Sequence, residues 1–148
     1  MAIDLGIDGI GPAVLVGAGG SASVFAAERK ADGQRVAIKV LKASAASEKE
    51  RKQFATEQET LAKLSEHEGI VSILGSGVTD RQEPYFLMPL MEGSIQDKID
   101  SDGPLDWEQA VAVILEVSEA VQFAHNHSVL HRDLKPGNSL LTRSSSHE

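Results

Sequence analysis

The sequence predicts an α+β fold, with an antiparallel sheet in its first ninety residues and helices after it. Three observations predict this. Residues 16–25 form a glycine-rich hairpin with an apolar strand on each side, and a polar turn then leads to a second apolar strand at 35–41. Residues 48–66 carry Phe54, Leu61 and Leu64 at helical spacing. Residues 106–123 are polar at their start and then broadly apolar, as in a helix packed on several sides.

The hairpin reads Val16-Gly17-Ala18-Gly19-Gly20-Ser21-Ala22-Ser23-Val24-Phe25. Glycines let backbone N–H groups approach phosphates with no Cβ in the way. Such a loop occurs in dinucleotide-binding folds, in Walker loops and in ordinary hairpins. A dinucleotide fingerprint opens into a helix. Here the loop runs into Val24-Phe25-Ala26-Ala27, a turn at Ala31-Asp32-Gly33, and the strand Arg35-Val36-Ala37-Ile38-Lys39-Val40-Leu41. No Gly-Lys-Ser or Gly-Lys-Thr follows, which excludes the Walker reading. Lys39 lies between Ile38 and Val40 on an otherwise apolar strand. It is either a charge guarding a sheet edge or a cation with a partner.

The helix at 48–66 offers that partner. Glu57 lies three residues after Phe54 and four before Leu61, so it shares their inward face. Glu59 points the other way. A carboxylate on a buried stripe needs a cation, and Lys39 is the candidate. Glu50 lies one turn before Phe54, where the helix dipole favours a solvated carboxylate.

Further along, 70–74 reads as a strand and 84–90 as another. Residues 94–99 form a short helix. Asp106 caps the next helix, with Gln109 completing a capping-box pattern. Val111, Ile114, Leu115, Val117, Val121 and Phe123 predict that this helix is largely buried. After it comes His131-Arg132-Asp133-Leu134-Lys135-Pro136-Gly137-Asn138, a segment too polar for core. Asp133 can accept a proton from a hydroxyl, Lys135 can sit on a phosphate oxygen, and Asn138 can ligate a hard cation such as Mg²⁺. Pro136-Gly137 forces a turn between them. His125, His127 and His131 have a spacing that can bind zinc. Core histidines explain the pattern better.

These motifs together resemble the bacterial eukaryotic-type serine/threonine protein kinases. The octapeptide is similar to the family's catalytic loop, Val36-Ala37-Ile38-Lys39 to its phosphate-holding strand, and the glycine hairpin to its ATP-covering loop. The resemblance runs from about residue 5 to 141: small lobe and hinge to about 90, then the start of the large lobe to 141, then a polar tail at 142–148 that is expected to fray. It implies a kinase-like α+β fold with a complete small lobe and only the first helical part of the large one. It implies ATP and Mg²⁺ as cofactors and a protein serine or threonine as acceptor. Asp133 is then the base, Lys135 stabilises the transferring phosphoryl group and Asn138 binds the metal. Lys39 with Glu57 holds the phosphates, and Val16, Gly17 and Gly19 of the glycine hairpin also bind the cofactor. Val24 and Ala37 cover the adenine from above and Leu140 from below, Met88 is the gatekeeper, and backbone groups of Leu90 and Met91 bind the adenine edge. Met88 read without the family is core filling. Lys135 in the catalytic loop points to serine/threonine rather than tyrosine kinases, which usually carry Ala-Ala-Arg or Arg-Ala-Ala where this chain has Lys-Pro-Gly.

The sequence departs from the pattern in three places. Ala22 replaces the third glycine, Ser139 stands where an apolar residue is usual, and no Asp-Phe-Gly follows Asn138 in the ten residues after it. That aspartate holds one metal, so the resemblance implies a kinase that is inactive as these 148 residues. The alternatives are a non-catalytic nucleotide-binding or interaction module, and a small-molecule phosphotransferase of related fold. The latter fits the small-lobe motifs less well.

Composition narrows the class further. With 148 residues and 41% hydrophobic content the chain can build a modest core. It has no cysteine, hence neither disulfide nor thiolate metal site, which fits a cytoplasmic chain. No apolar run is long enough to span a bilayer, so no membrane segment is expected. The net charge of −8 argues against nonspecific nucleic-acid binding.

Overall fold

A computed structural model describes residues 1–42 and 44–141. The polar tail expected at 142–148 lies outside the described residues. The chain divides into two compact units, Met1–Glu66 with Val71–Leu90, and His67–Ile70 with the residues from Met91 onward.

The first unit is built on a six-stranded antiparallel sheet in the order β1-β2-β3-β4-β6-β5. Its strands are β1 (Ala2–Ile3), β2 (Ala13–Ala18), β3 (Ala22–Glu28), β4 (Arg35–Leu41), β5 (Gly75–Val78) and β6 (Pro84–Pro89). Period-two alternation along β4 decides the faces. Val36, Ile38 and Val40 enter one core cluster, in which Ile7 and Ile10 of the N-terminal segment are also buried. Leu41 enters the other, with Phe86 of β6 and Phe54 of helix α1 (Glu48–Leu64). The Phe54 and Phe86 rings meet at 5.1 Å, tilted by 46°.

The N-terminal segment forms a strap along this unit. After pairing with β2, the chain buries Ile7 and Ile10, and Gly11 and Lys30 close it through Gly11 N–H to Glu28 O at 2.9 Å and Lys30 N–H to Gly9 O at 2.8 Å. Gly6 has φ +65 and lies against Asp80, where any Cβ would strike the carboxylate. The positive φ is what favours glycine there, since the exposed Asp80 side chain could move aside.

The strand expected at 70–74 is not formed. Pairing begins at Gly75, just past the end of the expected strand, although Leu74 N–H already donates to Leu87 O at 2.8 Å. The glycines of the paired stretch sit close to β6 side chains: a Cβ at Gly77 would lie 2.9 Å from the Tyr85 hydroxyl, which would have to shift to admit it. Strand propensity scores such a stretch poorly.

The second unit contains α2 (Ile95–Asp102), α3 (Trp107–Asn126), a 3-10 turn at Pro136–Asn138, and a two-stranded pair of β7 (Gly93–Ser94) with β8 (Leu140–Leu141). Ser94 and Asp97 form a capping box on α2, and Asp106 and Gln109 form the expected one on α3. The 67–70 loop belongs to this unit. The His67 ring lies 5.0 Å from Phe123, and a Cβ at Gly69 would lie 3.1 Å from that of Ala120. The expectation that α3 is largely buried is met only at Ala120 and Ala124, while Trp107, Val111, Ile114 and Leu115 are exposed. Their apolar character is real, but the described residues cover less than half of each.

Candidate active site

The glycine hairpin joins β2 to β3. Its tip closes through Gly19 N–H to Ala22 O at 2.8 Å. A shift of register between Leu15 and Gly17 precedes it and leaves Val16 exposed. None of Gly17, Gly19 and Gly20 has a positive φ, and a Cβ at any of them would meet only ordinary contacts or open space. The fold alone does not demand glycine at these positions. What their small size leaves free is the approach of a ligand to the backbone.

Lys39 sits mid-strand on β4, paired with Val24 on one side and Phe86 on the other. Its ammonium donates to both oxygens of Glu57, at 2.9 and 2.7 Å. The lysine side chain is 25% exposed and the glutamate 42%, so the pair is held at an open edge of the packed interior. Phe86 lies beneath it, with Nζ 6.0 Å from the ring centre. The edge-guard reading fails because β4 is central in the sheet. Ala37 is buried and pairs with Ala26 and Met88. Met88 itself is half-buried against the Leu41, Phe54 and Phe86 cluster. The Leu90 N–H is used inside the sheet, donating to Arg35 O at 3.2 Å, so of the expected edge-binding groups on Leu90 only its carbonyl is left.

In the second unit the turn at Pro136–Asn138 draws three side chains together. Lys135 Nζ lies 3.4 Å from Asp133 Oδ2. Asn138 Nδ2 donates to Asp133 O at 2.8 Å and to Asp133 Oδ2 at 3.3 Å, so the amide nitrogen, not the oxygen, faces Asp133. Asp133 N–H donates to His131 Nδ1 at 3.1 Å. Arg132 holds φ 68, a left-handed conformation that a bulky residue adopts only when its surroundings impose it. Met91 is half-buried just after β6, and Leu140 is 46% exposed, on β8 opposite Ser94.

The histidines differ from expectation. His125 and His131 are exposed rather than in the core, and only His127 packs, its ring 4.3 Å from that of Phe123. Among the described residues no group of three or more His, Cys, Asp or Glu could hold a metal. No helix among them is long and apolar enough to cross a membrane.

Sequence reasoning missed three features. Ser47 caps α1 in a capping box with Glu50, although Ser-x-x-Glu is legible as such. The burial of Ile7 and Ile10 is long-range and leaves no local period. Arg132's backbone strain has no sequence signature.

Comparison with known proteins gives the class. Residues 12–147 match the protein kinase domain family, so this chain belongs to the protein kinases. It is 38% identical over 132 residues to the DNA damage-responsive serine/threonine-protein kinase RqkA of Deinococcus radiodurans, covering 86% of this chain and 19% of that protein. It is 34% identical over 128 residues to the serine/threonine-protein kinase PknK of Mycobacterium tuberculosis, covering 86% of this chain and 11% of that one. The crystal structure of the M. tuberculosis PknI kinase domain superposes with a TM-score of 0.71 at 26% identity, covering 95% of this chain and 58% of that one. The chain thus spans a fifth or less of these curated relatives and rather more than half of the solved kinase domain.

Proposed function

We propose that this chain is the nucleotide-binding and catalytic-loop portion of an ATP-dependent serine/threonine protein kinase. The observation that carries this is the bidentate Lys39–Glu57 pair, at 2.7 and 2.9 Å, on the strand that follows a glycine hairpin. A lysine fixed in this way presents a positioned positive charge without having to order a free side chain on binding. ATP supplies the phosphoryl group when bound, and Mg²⁺ neutralises its charge. The residues present fit both groups in part. Lys39 and the N–H groups of the glycine hairpin suit phosphate oxygens, and the amide oxygen of the exposed Asn138 suits a hard cation. Asp133 accepts the proton of a serine or threonine hydroxyl. Lys135, beside Asp133, faces the charge that develops as the phosphoryl group moves.

The 148 residues contain no Asp-Phe-Gly. As a polypeptide of this length, the chain is therefore proposed to bind nucleotide but not to transfer phosphate. A radiolabelled-ATP assay tests this with a generic serine/threonine substrate. The 148-residue polypeptide gives only background. The same residues continued by a segment bearing Asp-Phe-Gly and the remaining large lobe give activity, which Asp133→Asn abolishes. Transfer by the 148-residue polypeptide, or a continued one indifferent to Asp133→Asn, contradicts the reading.

A further inference from the structure

Two phenyl rings accompany the Lys39–Glu57 pair. Phe86 is fully buried on β6 and stands opposite Lys39 of β4 in register, so the two side chains leave the same face of the sheet. The Lys39 ammonium lies 6.0 Å from the Phe86 ring centre, at the outer limit of cation–π attraction. The ring is therefore a dry floor for the cation more than a partner to it. Phe54 of α1 packs on Phe86, with ring centres 5.1 Å apart. Among the described residues α1 buries Phe54 and Leu64, and Phe54 is the one that joins Leu41 and Phe86 in a cluster. Glu57 follows Phe54 by three residues, about one turn further along the same face.

We propose that Phe54 is a positioning residue for Lys39, acting through Glu57 with Phe86 as its footing. Its bearing on nucleotide rests on the proposed phosphate role of Lys39. The ion pair does not fix the helix by itself. Its lysine is 25% exposed and its glutamate 42%, and a pair so open to water contributes little. The contact of two large rings removes apolar surface from water and resists separation more strongly. The rings therefore set the distance between α1 and β4. Both Glu57 oxygens reach the ammonium, at 2.7 and 2.9 Å, because the helix is already in place. A phosphate group then meets a cation that does not have to be ordered on binding.

Lysine acetylation of the 148-residue chain by N-hydroxysuccinimide acetate, read residue by residue in a mass spectrometer, tests this with no nucleotide present. Lys30, exposed in the same unit, is the internal reference. Phe54→Leu keeps an apolar side chain and removes the ring. It raises Lys39 acetylation relative to Lys30 about threefold, as expected for loss of one partly exposed ion pair. Glu57→Ala raises it by a similar factor. Adding Phe54→Leu to Glu57→Ala raises it no further, because the pair through which Phe54 acts is already gone. No rise in Phe54→Leu overturns the proposal. An equal further rise in the Glu57→Ala background also overturns it, since that is what simple loosening of the unit gives. Phe54→Met, which fills more of the ring's space, carries the same comparison if Phe54→Leu lacks a cooperative melt. In a second arm Phe54→Leu weakens ATP about threefold and leaves adenosine unchanged. Equal weakening of both overturns the positioning as a phosphate-side device. Failure of the wild type to bind ATP removes the nucleotide reading, and acetylation then decides the positioning alone.

Discussion

Gly19 separates what the fold needs from what a ligand needs. A Cβ there would lie 3.6 Å from Ala22 O, an ordinary contact, and its φ is not positive. Gly19→Ala should therefore change stability by less than about 1 kcal/mol, yet weaken ATP about tenfold by standing between backbone and phosphate. A thermal melt beside a binding titration checks the two halves. A large stability loss would mean that the glycine serves the hairpin itself. Asp32 gives a different residue-scale outcome. Its hydrogen bond with Arg29, from Nε at 3.0 Å, holds its carboxyl down to about 2, from an ordinary 3.8. A depressed carboxyl contributes stability above its unfolded value and loses it as pH falls through the folded one. The stability gap between wild type and Asp32→Asn should thus be constant above about pH 5 and close between 3.8 and about 2. A gap that widens on acidification contradicts this.

At the scale of elements, the strap matters most for stability. Ile7 and Ile10 are buried beside Val36 and Ile38, which are fully buried. Ile7→Ala or Ile10→Ala should destabilise the sheet unit by about 2–4 kcal/mol. Chemical denaturation measures this directly, and a loss below about 1 kcal/mol would place the strap outside the cooperative core. This is also where the sequence was least legible. Helix α1, the capping box at Asp106 and the strands flanking the glycine hairpin follow from period and turn chemistry, which are local. Glu57 was readable because Phe54 and Leu61 mark its face. The strap was not, since Ile7 and Ile10 find their neighbours only through the whole sheet. Strand β5 was misplaced because two glycines, poor strand formers, serve the packing of Leu87 and Tyr85. The Asp133, Lys135 and Asn138 constellation was legible as residue types. The bond that turns the Asn138 amide was not, because it depends on the turn at Pro136–Asn138.

At the scale of the whole molecule, helix α3 has more apolar surface than the described residues cover. Trp107 is 74% exposed and Ile114 63%, and Ile114 also lines a groove of about 570 Å³ with Ile95, Ile99 and Leu134. An uncovered surface of this kind favours self-association. The 148-residue polypeptide should run above its monomer mass in light scattering, and Val111→Lys with Leu115→Lys should shift it toward monomer. A monodisperse wild-type monomer would contradict that. The central claim is that the first unit holds nucleotide phosphates through Lys39, positioned by Glu57. Because both side chains are partly exposed, Lys39→Ala should alter stability by no more than about 1 kcal/mol. Calorimetric titration of ATP with Mg²⁺ into wild type and Lys39→Ala is the most direct test. The account predicts measurable wild-type binding that falls about tenfold, or about 1.4 kcal/mol, in the variant, and equal affinities would contradict it.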